Sequence, residues 1–157
     1  MPAEVVNIVI AGLGGQGVLK ASDIVAEAAF RAGFDVKKAE VHGMSQRGGS
    51  VTSDVRFGPR VLSPMVPAGA ADFLVVLAPD QVEPNRHHLS PSGRLIAPDA
   101  VEESTLRNKR SLNVALLGAL SKALPIPESV WIEAIRANLA PKLHDVNLEA
   151  FALGRAR

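Results

Sequence analysis

The sequence contains no cysteine. The chain therefore cannot form a disulfide, ligate an iron–sulfur cluster through thiolates or use a thiolate nucleophile. If it takes part in a redox reaction, a partner has to supply the redox centre. The rest of the composition is ordinary for a globular domain, with 47% of the 157 residues hydrophobic and 21% charged. This length is enough to bury a core, and we expect a single domain over residues 1–157.

The sequence also has no large excess of positive or negative charge and no long apolar run. The formal net charge is +1, so nucleic acid or an anionic membrane could be recognised only through a local basic patch. The one dense basic run, Arg107, Lys109 and Arg110, is interpreted as a solvated helix end instead. No apolar run approaches the ~18 residues of a membrane span, and the N-terminus lacks the pattern of a secretory signal. We therefore expect a cytoplasmic protein with no nucleic-acid or membrane partner.

A cluster of glycines within residues 9–17 (VIAGLGGQG) is the stretch around which the chain is organised. Residues 7–11 (NIVIA) are apolar without alternation, which predicts a strand buried on both faces of a parallel sheet. Gly12, Gly14 and Gly17 follow at G-x-G-x-x-G spacing, and residues 18–32 repeat apolar positions at the spacing of one helix face. Strand, glycine turn and helix form the context that this motif requires.

The glycine motif has two interpretations, and both stay open. Uncovered N–H groups at the start of a helix can hold a phosphate or a carboxylate against the positive end of the helix dipole. A strand-to-helix turn also needs glycine for positive φ and close packing when nothing binds. The candidate cofactor-binding residues are Gly12, Gly14, Gly15, Gln16 and Gly17.

A dinucleotide-binding unit is one way to use such a loop. Gly33 is well placed to end the first helix, and residues 35–41 (DVKKAEV) predict a second strand, which gives a βαβ unit. Glu40, near the end of that strand, could bond the ribose 2′-OH of NAD(P). The chain has little room for a second, catalytic domain, which argues against this use of the loop. An independent NAD(P)-binding oxidoreductase is therefore kept as the alternative and not as the main hypothesis.

The next segment, residues 42–50 (HGMSQRGGS), is polar and rich in glycine. Loops held by a rigid sheet often carry function, and Arg47 and His42 offer one fixed and one titratable donor. An exposed glycine-rich hairpin is the alternative. His42 has no recognisable partner as a general base, so no catalytic residue is assigned. We predict an active-site or interface loop made of His42, Met44, Ser45, Gln46, Arg47, Gly48, Gly49 and Ser50.

The middle of the chain predicts further strands. Residues 71–78 (ADFLVVLA) are apolar, and Asp80 and Gln81 after them are weak site candidates, with a helix N-cap favoured for Asp80. Ser92-Gly93 predicts a turn that leads into a short strand. The adjacent His87-His88 pair predicts no metal site, because neighbouring side chains diverge.

The C-terminal third predicts three helices. The first is an amphipathic helix over residues 112–124 that Pro125 ends, the second begins with Pro127 at its first position, and the third opens at Asp145. Gly118 inside the first helix suggests close packing against another element or a partner. The fold class is therefore α/β, a three-layer Rossmann-like domain with a largely parallel or mixed sheet and a helical C-terminal third.

Two motifs together carry a resemblance to a known family. GLGGQG followed by EVHGMSQRGGSV, with the tail NLEAFALG, resembles the small (gamma-type) subunits of the 2-oxoacid:ferredoxin oxidoreductases, most closely those of the indolepyruvate type. The resemblance covers essentially the whole chain, and the second motif is far more specific than the first.

The resemblance implies a non-catalytic subunit of an oxidoreductase. It would cover part of the active site and help bind coenzyme A at a shared site. Thiamine diphosphate and the iron–sulfur clusters would lie on a large partner subunit, and ferredoxin would accept the electrons of the complex. A binding or assembly module with an unused glycine loop is a further possibility.

Overall fold

A five-stranded mixed sheet forms the centre of the computed structural model, which describes residues 4–42 and 49–157. The strands are β1 (Val6–Leu13), β2 (Asp35–His42), β3 (Ser50–Gly58), β4 (Ala71–Val76) and β5 (Leu89–Ile96). Their order across the sheet is β2-β3-β1-β4-β5. β1, β4 and β5 run parallel, whereas β3 is antiparallel to both β1 and β2. The predicted α/β class with a mixed sheet is confirmed.

The described residues also form five α-helices. They are α1 (Val18–Arg31), α2 (Val82–Asn85), α3 (Leu112–Ser121), α4 (Glu128–Asn138) and α5 (His144–Arg155). Short 3₁₀ turns connect several of them, including Pro79–Gln81 after β4 and Lys109–Ser111 before α3. The C-terminal third is helical, as predicted.

The central strand β1 shows why its sequence lacks alternation. Ile8, Val9, Ile10 and Ala11 are all fully buried, because both faces of the strand are covered. Ile8 and Ile10 face the main core with α1, α3, α4 and α5, and Val9 and Ala11 face a smaller apolar cluster on the other side of the sheet. Burial on both faces is confirmed, although β1 has one antiparallel neighbour.

Helix α3 differs from the predicted amphipathic helix. All nine residues from Asn113 to Ser121 are buried, because α3 lies between the sheet and α5. A Cβ on Gly118 would overlap the carbonyl oxygen of Phe151, and one on Gly154 would overlap the carbonyl oxygen of Ala115. The two glycines therefore permit the close crossing of α3 and α5. The helix ends at Ser121, four residues before Pro125.

Several local predictions are corrected by the structure. Ser92 and Gly93 lie inside β5, at a register irregularity opposite Ala71, and do not form a turn before a short strand. Asp80 lies within the 3₁₀ turn whose N-cap is Ala78, so it is not a cap. Pro127 is the N-cap of α4, one position before the expected one. α1 and its end at Gly33, where φ is +97°, agree with the sequence.

Candidate functional site

The carboxyl ends of β1 and β4 form a crevice because the chain leaves these two neighbouring parallel strands toward opposite faces of the sheet. α1 follows β1 and packs Ala21 and Ile24 into the main core. α2 follows β4 and packs Val82 against the smaller cluster. In open α/β sheets, ligands bind at this kind of switch point. The glycine loop lies at it, directly after β1.

Left-handed backbone at Gly15 (φ +88°) and Gly17 (φ +83°) shapes the loop, and Gly17 is the N-cap of α1. Gln16 closes the turn, because its Oε1 accepts a hydrogen bond from Leu13 N at 2.7 Å. A Cβ on Gly12 would lie 2.9 Å from Gln16 Oε1 and 3.1 Å from Leu77 Cβ. The side chain of Gln16 and the absence of one at Gly12 thus hold the loop against the sheet.

The ends of the second motif meet the glycine loop. Gly14 N donates to Gly49 O at 2.9 Å, and Ser50 pairs with Leu13 in the sheet. Ser50 Oγ also bonds Gln81 Oε1 at 2.9 Å, which ties the segment to the turn after β4. His42 is the last residue of β2. The predicted site residues Met44, Ser45, Gln46, Arg47 and Gly48 lie outside the described residues.

A cleft of about 430 Å³ opens beside the loop. Its floor and walls come from the loop, the end of β4 and the start of α3; the lining residues are Gly15, Gln16, Gly17, Leu77, Lys109, Arg110, Leu112 and Asn113. Asn113 Nδ2 donates to Gly17 O at 3.2 Å. This contact fixes the start of α3 to the start of α1.

Two cations line this cleft that sequence reasoning assigned to a solvated helix end. Lys109 and Arg110 are exposed and form no ion pair with any described residue. Arg107 from the same run is instead paired with Glu149 at 3.1 Å. The available signal was position: the run follows β5, which is parallel to β1 and therefore ends at the same sheet edge as the glycine loop.

The charges at the cleft favour an anion. The first N–H groups of α1 have no intrahelical acceptors, its N-cap has no side chain, and its first turn contains no acidic residue. The positive end of the helix dipole and the two cations act in the same direction. The lining residues include no carboxylate, imidazole or hydroxyl group. This arrangement can hold phosphate groups but offers no nucleophile–base pair.

Glu40 is not where a dinucleotide-binding unit needs it. β3 lies between β1 and β2, so Glu40 is two strand spacings from β1, about 10 Å. Lys38 Nζ binds Glu40 at 2.7 Å and Asp23 at 2.6 Å. Burial lowers the pKa of Lys38, but these two carboxylates outweigh it and raise the pKa overall. Glu40 therefore belongs to an ion cluster beside α1, and the Rossmann fingerprint is incomplete.

The remaining perturbed groups lie elsewhere. Asp54 on β3 is buried, and its Oδ2 accepts a hydrogen bond from Val66 N at 2.9 Å. Burial raises the pKa of Asp54 and lowers that of the nearby His88. His88 stacks on His87, with ring centroids 4.1 Å apart. Within the described residues, no group of three or more histidine and acidic side chains could hold a metal. No helix among them could span a membrane.

Comparisons with known proteins identify the family. The family model described as pyruvate ferredoxin/flavodoxin oxidoreductase matches residues 7–104. Indolepyruvate oxidoreductase subunit IorB of Thermococcus kodakarensis is 37% identical, across 94% of this chain and 93% of the relative. That alignment spans 189 positions, more than this chain has residues, so the relative contains segments that this chain lacks.

Two solved structures share the fold. The 2-oxoglutarate:ferredoxin oxidoreductase of Magnetococcus marinus, with 2-oxoglutarate, coenzyme A and succinyl-CoA bound, superposes with a TM-score of 0.80 at 23% identity. The match covers 99% of this chain but only 31% of that one. The gamma subunit of the keto/oxoacid ferredoxin oxidoreductase of Geobacter sulfurreducens gives 0.74 at 21% identity, across 97% and 95% of the two chains.

The fold and these relatives define a class, the non-catalytic subunits of multi-subunit 2-oxoacid:ferredoxin oxidoreductases. The chain belongs to the pyruvate ferredoxin/flavodoxin oxidoreductase family. The resemblance seen in the two sequence motifs is thereby confirmed.

Proposed function

We propose that this chain is the small subunit of an indolepyruvate-type oxidoreductase and holds the phosphate groups of coenzyme A in the cleft beside the glycine loop. The whole chain, residues 1–157, acts as one gamma-type domain. A large subunit carries thiamine diphosphate and the iron–sulfur clusters, and ferredoxin receives the electrons. The complex works in the cytoplasm.

The observation that carries this proposal is the convergence of three anion-binding features on one cleft. Gly15 and Gly17 place no side chain at the start of α1, and Lys109 and Arg110 line the same cleft from the turn before α3. Coenzyme A has several phosphates, and Arg and Lys bind phosphate through charge-assisted hydrogen bonds. No acidic side chain lines the cleft to oppose them.

The relatives support the reaction type. The archaeal relative at 37% identity is named an indolepyruvate oxidoreductase subunit, and the Magnetococcus structure contains coenzyme A. In the proposed reaction, an aryl 2-oxo acid, coenzyme A and two oxidised ferredoxins give an acyl-CoA, carbon dioxide, a proton and two reduced ferredoxins. The partner's cofactors supply the decarboxylation and electron transfer. This chain binds and orients the thiol substrate.

The segment between β2 and β3 is the proposed contact with the partner's active site. Its described end is fixed at the glycine loop, since Gly49 O accepts from Gly14 N and Ser50 bonds Gln81. The same hydrogen bonds tie the segment to the loop that borders the coenzyme A cleft. Arg47 would supply a planar, permanently charged group to a carboxylate or phosphate there.

The test compares two basic variants in the reconstituted two-subunit complex. Removing both cleft cations, with Lys109→Ala and Arg110→Ala together, should raise KM for coenzyme A by about tenfold or more, because a hydrogen bond to a charged group contributes ~1.5–3 kcal/mol. KM for the 2-oxo acid should stay the same. Arg107→Ala is the matched control, since it comes from the same run but pairs with Glu149 outside the cleft.

Equal KM values for coenzyme A in the double variant and the wild type would contradict the proposed phosphate site. An equal rise in the Arg107→Ala control would also contradict it, because a general loss of positive charge would then explain the effect.

A further inference from the structure

The two edge strands of the sheet differ in how well they could pair with another strand. β5 contains Pro91, which has no N–H group, and Gly93, which lies where its register with β4 is irregular. Such features protect an edge against pairing. β2 contains no proline and pairs with β3 in one unbroken register from Asp35 to His42. The backbone groups on the outer side of β2 have no strand partner among the described residues.

Residues 36, 38 and 40 of β2 lie on the face that carries α1. Val36 packs against the main core, and Lys38 Nζ binds Asp23 of α1 at 2.6 Å and Glu40 at 2.7 Å. The ammonium group of Lys38 has one more N–H donor than these two contacts use. The side chains of Lys38 and Glu40 are partly exposed, at 29% and 35%. Both can therefore still contact a charged group across the edge of the sheet.

Apolar side chains flank the same edge. A groove of about 340 Å³ lies between α1 and β2, and Phe30 in its wall is 70% exposed. Val41, on the opposite face of β2, is 46% exposed. Lysine on an edge strand opposes strand pairing. A strand that pairs with β2 therefore has to place apolar or acidic groups opposite Lys37 and Lys38.

A second copy of β2 meets this requirement in one register. Opposing side chains of an antiparallel pair lie on the same face, and each copy has the same residues on that face, so a two-fold axis between the copies passes through a residue. With the axis at Ala39, Lys38 lies opposite Glu40 of the second copy, in two equivalent contacts. Lys37 then lies opposite Val41 of the second copy.

Other registers are less favourable. An axis at Lys37, Lys38 or Glu40 puts that charged residue opposite its own copy, and like charges directly opposite each other destabilise a strand pair. An axis nearer either end of β2 pairs far fewer residues than the axis at Ala39, which pairs residues 36–42. The charges of β2 thus select one register for self-pairing.

We propose that two copies of this chain join edge to edge through β2, antiparallel about a two-fold axis at Ala39. The two five-stranded sheets then form one continuous sheet, with both α1 helices on the same face. The second copy covers the side of the groove that holds Phe30. β2 contributes none of the described residues that line the cleft beside the glycine loop, so the copies can pair while the cleft is occupied.

Analytical ultracentrifugation of the purified chain over a concentration series tests the pairing. The wild type should form a species of twice the chain mass of 16.5 kDa. Lys38→Glu and Glu40→Lys each put like charges opposite each other in both contacts, so each variant should weaken self-association by about tenfold or more. An equimolar mixture of the two variants should restore it, because each contact then joins an acidic and a basic side chain.

The mixture separates pairing between chains from the ion cluster within one chain. Mixing two chains cannot repair the internal contact between Lys38 and Glu40, so only an interaction between copies can recover. Lys142→Glu is the matched control. It makes the same charge change at an exposed lysine outside β2 and should leave self-association unchanged.

Cysteine variants test the register, because the chain has no native cysteine. Ala39→Cys puts two thiols at the axis, where opposing Cβ atoms are ~4.5–5.5 Å apart, so mild oxidation should give a disulfide-linked dimer. Val41→Cys is the control on the same face of β2, with its two thiols ~13 Å apart along the strands, and should give none. These variants leave every charge in place, so they test the pairing even if a charge variant fails to fold.

A wild-type chain that stays monomeric over the whole concentration series would overturn the proposal. Self-association that both charge variants retain would overturn it too, as would a linked dimer from Val41→Cys in place of Ala39→Cys. A monomeric wild type whose Lys38→Glu variant loses binding to the large subunit would overturn self-pairing and identify a strand of that subunit as the partner of β2.

Discussion

Gly17 shows at the scale of one residue why the loop needs glycine. Its φ of +83° is a left-handed conformation that costs other residues ~1–2 kcal/mol. A Cβ there would also lie 2.5 Å from Asn113 Nδ2, on the side chain that joins α1 to α3. Gly33 has the same backbone requirement, with φ +97°, but open space at its Cβ position. The two positions therefore separate backbone strain from steric overlap.

Alanine at these two positions should give different losses of stability. Gly33→Ala should lower the free energy of unfolding by ~1–2 kcal/mol, the cost of the backbone conformation. Gly17→Ala should cost more, because Asn113 must also move. Urea denaturation of the purified chain gives both values. Equal losses would mean that the Asn113 contact contributes nothing to the loop.

The residues of the glycine loop could suggest an anion-binding site, but the sequence could not identify the cations that line the same cleft. The spacing of Gly12, Gly14 and Gly17 predicted the turn, which the structure places between β1 and α1 with Gly12 still inside the strand. Lys109 and Arg110 are about 95 residues away along the chain, and only the sheet brings them to the loop. Their sequence is equally suited to a solvated turn, so local pattern could not assign them.

The crossing of α3 and α5 shows how elements differ from their sequence patterns. A ten-residue apolar segment predicts one buried face, and α3 is buried on all sides because α5 covers its outer surface. The spacing of apolar residues predicts which face of a helix is buried, but it does not show how many other elements pack against the helix. Gly118 did indicate close packing. The second glycine of this crossing, Gly154, lies in α5, a helix that the sequence predicted without showing that it packs against α3.

Gly154→Ala should destabilise the protein, although alanine is the better helix former by ~1 kcal/mol. The added Cβ would overlap the carbonyl oxygen of Ala115, and overpacking of a tight contact typically costs ~1–3 kcal/mol. Chemical denaturation measures the difference directly. A gain in stability, the result that helix propensity alone gives, would show that α3 and α5 are not packed this closely.

The whole molecule is built on a modified Rossmann-like sheet. Local sequence predicted β1, β2 and β4, but the insertion of β3 between β1 and β2 depends on long-range pairing. That insertion moves Glu40 away from the glycine loop and removes the basis for an NAD(P) site. In the Magnetococcus enzyme the same fold occupies 31% of a longer chain.

Reconstitution of ferredoxin reduction tests this account most directly. The purified chain, the large subunit and an equimolar mixture of both are each assayed with indolepyruvate, coenzyme A and oxidised ferredoxin. The account predicts no turnover and no visible absorbance from this chain alone, because it has no cysteine for a cluster and no nucleophile–base pair in its cleft. Coenzyme A-dependent turnover should appear only in the mixture. Turnover by this chain alone, or full activity of the large subunit without it, would contradict the account.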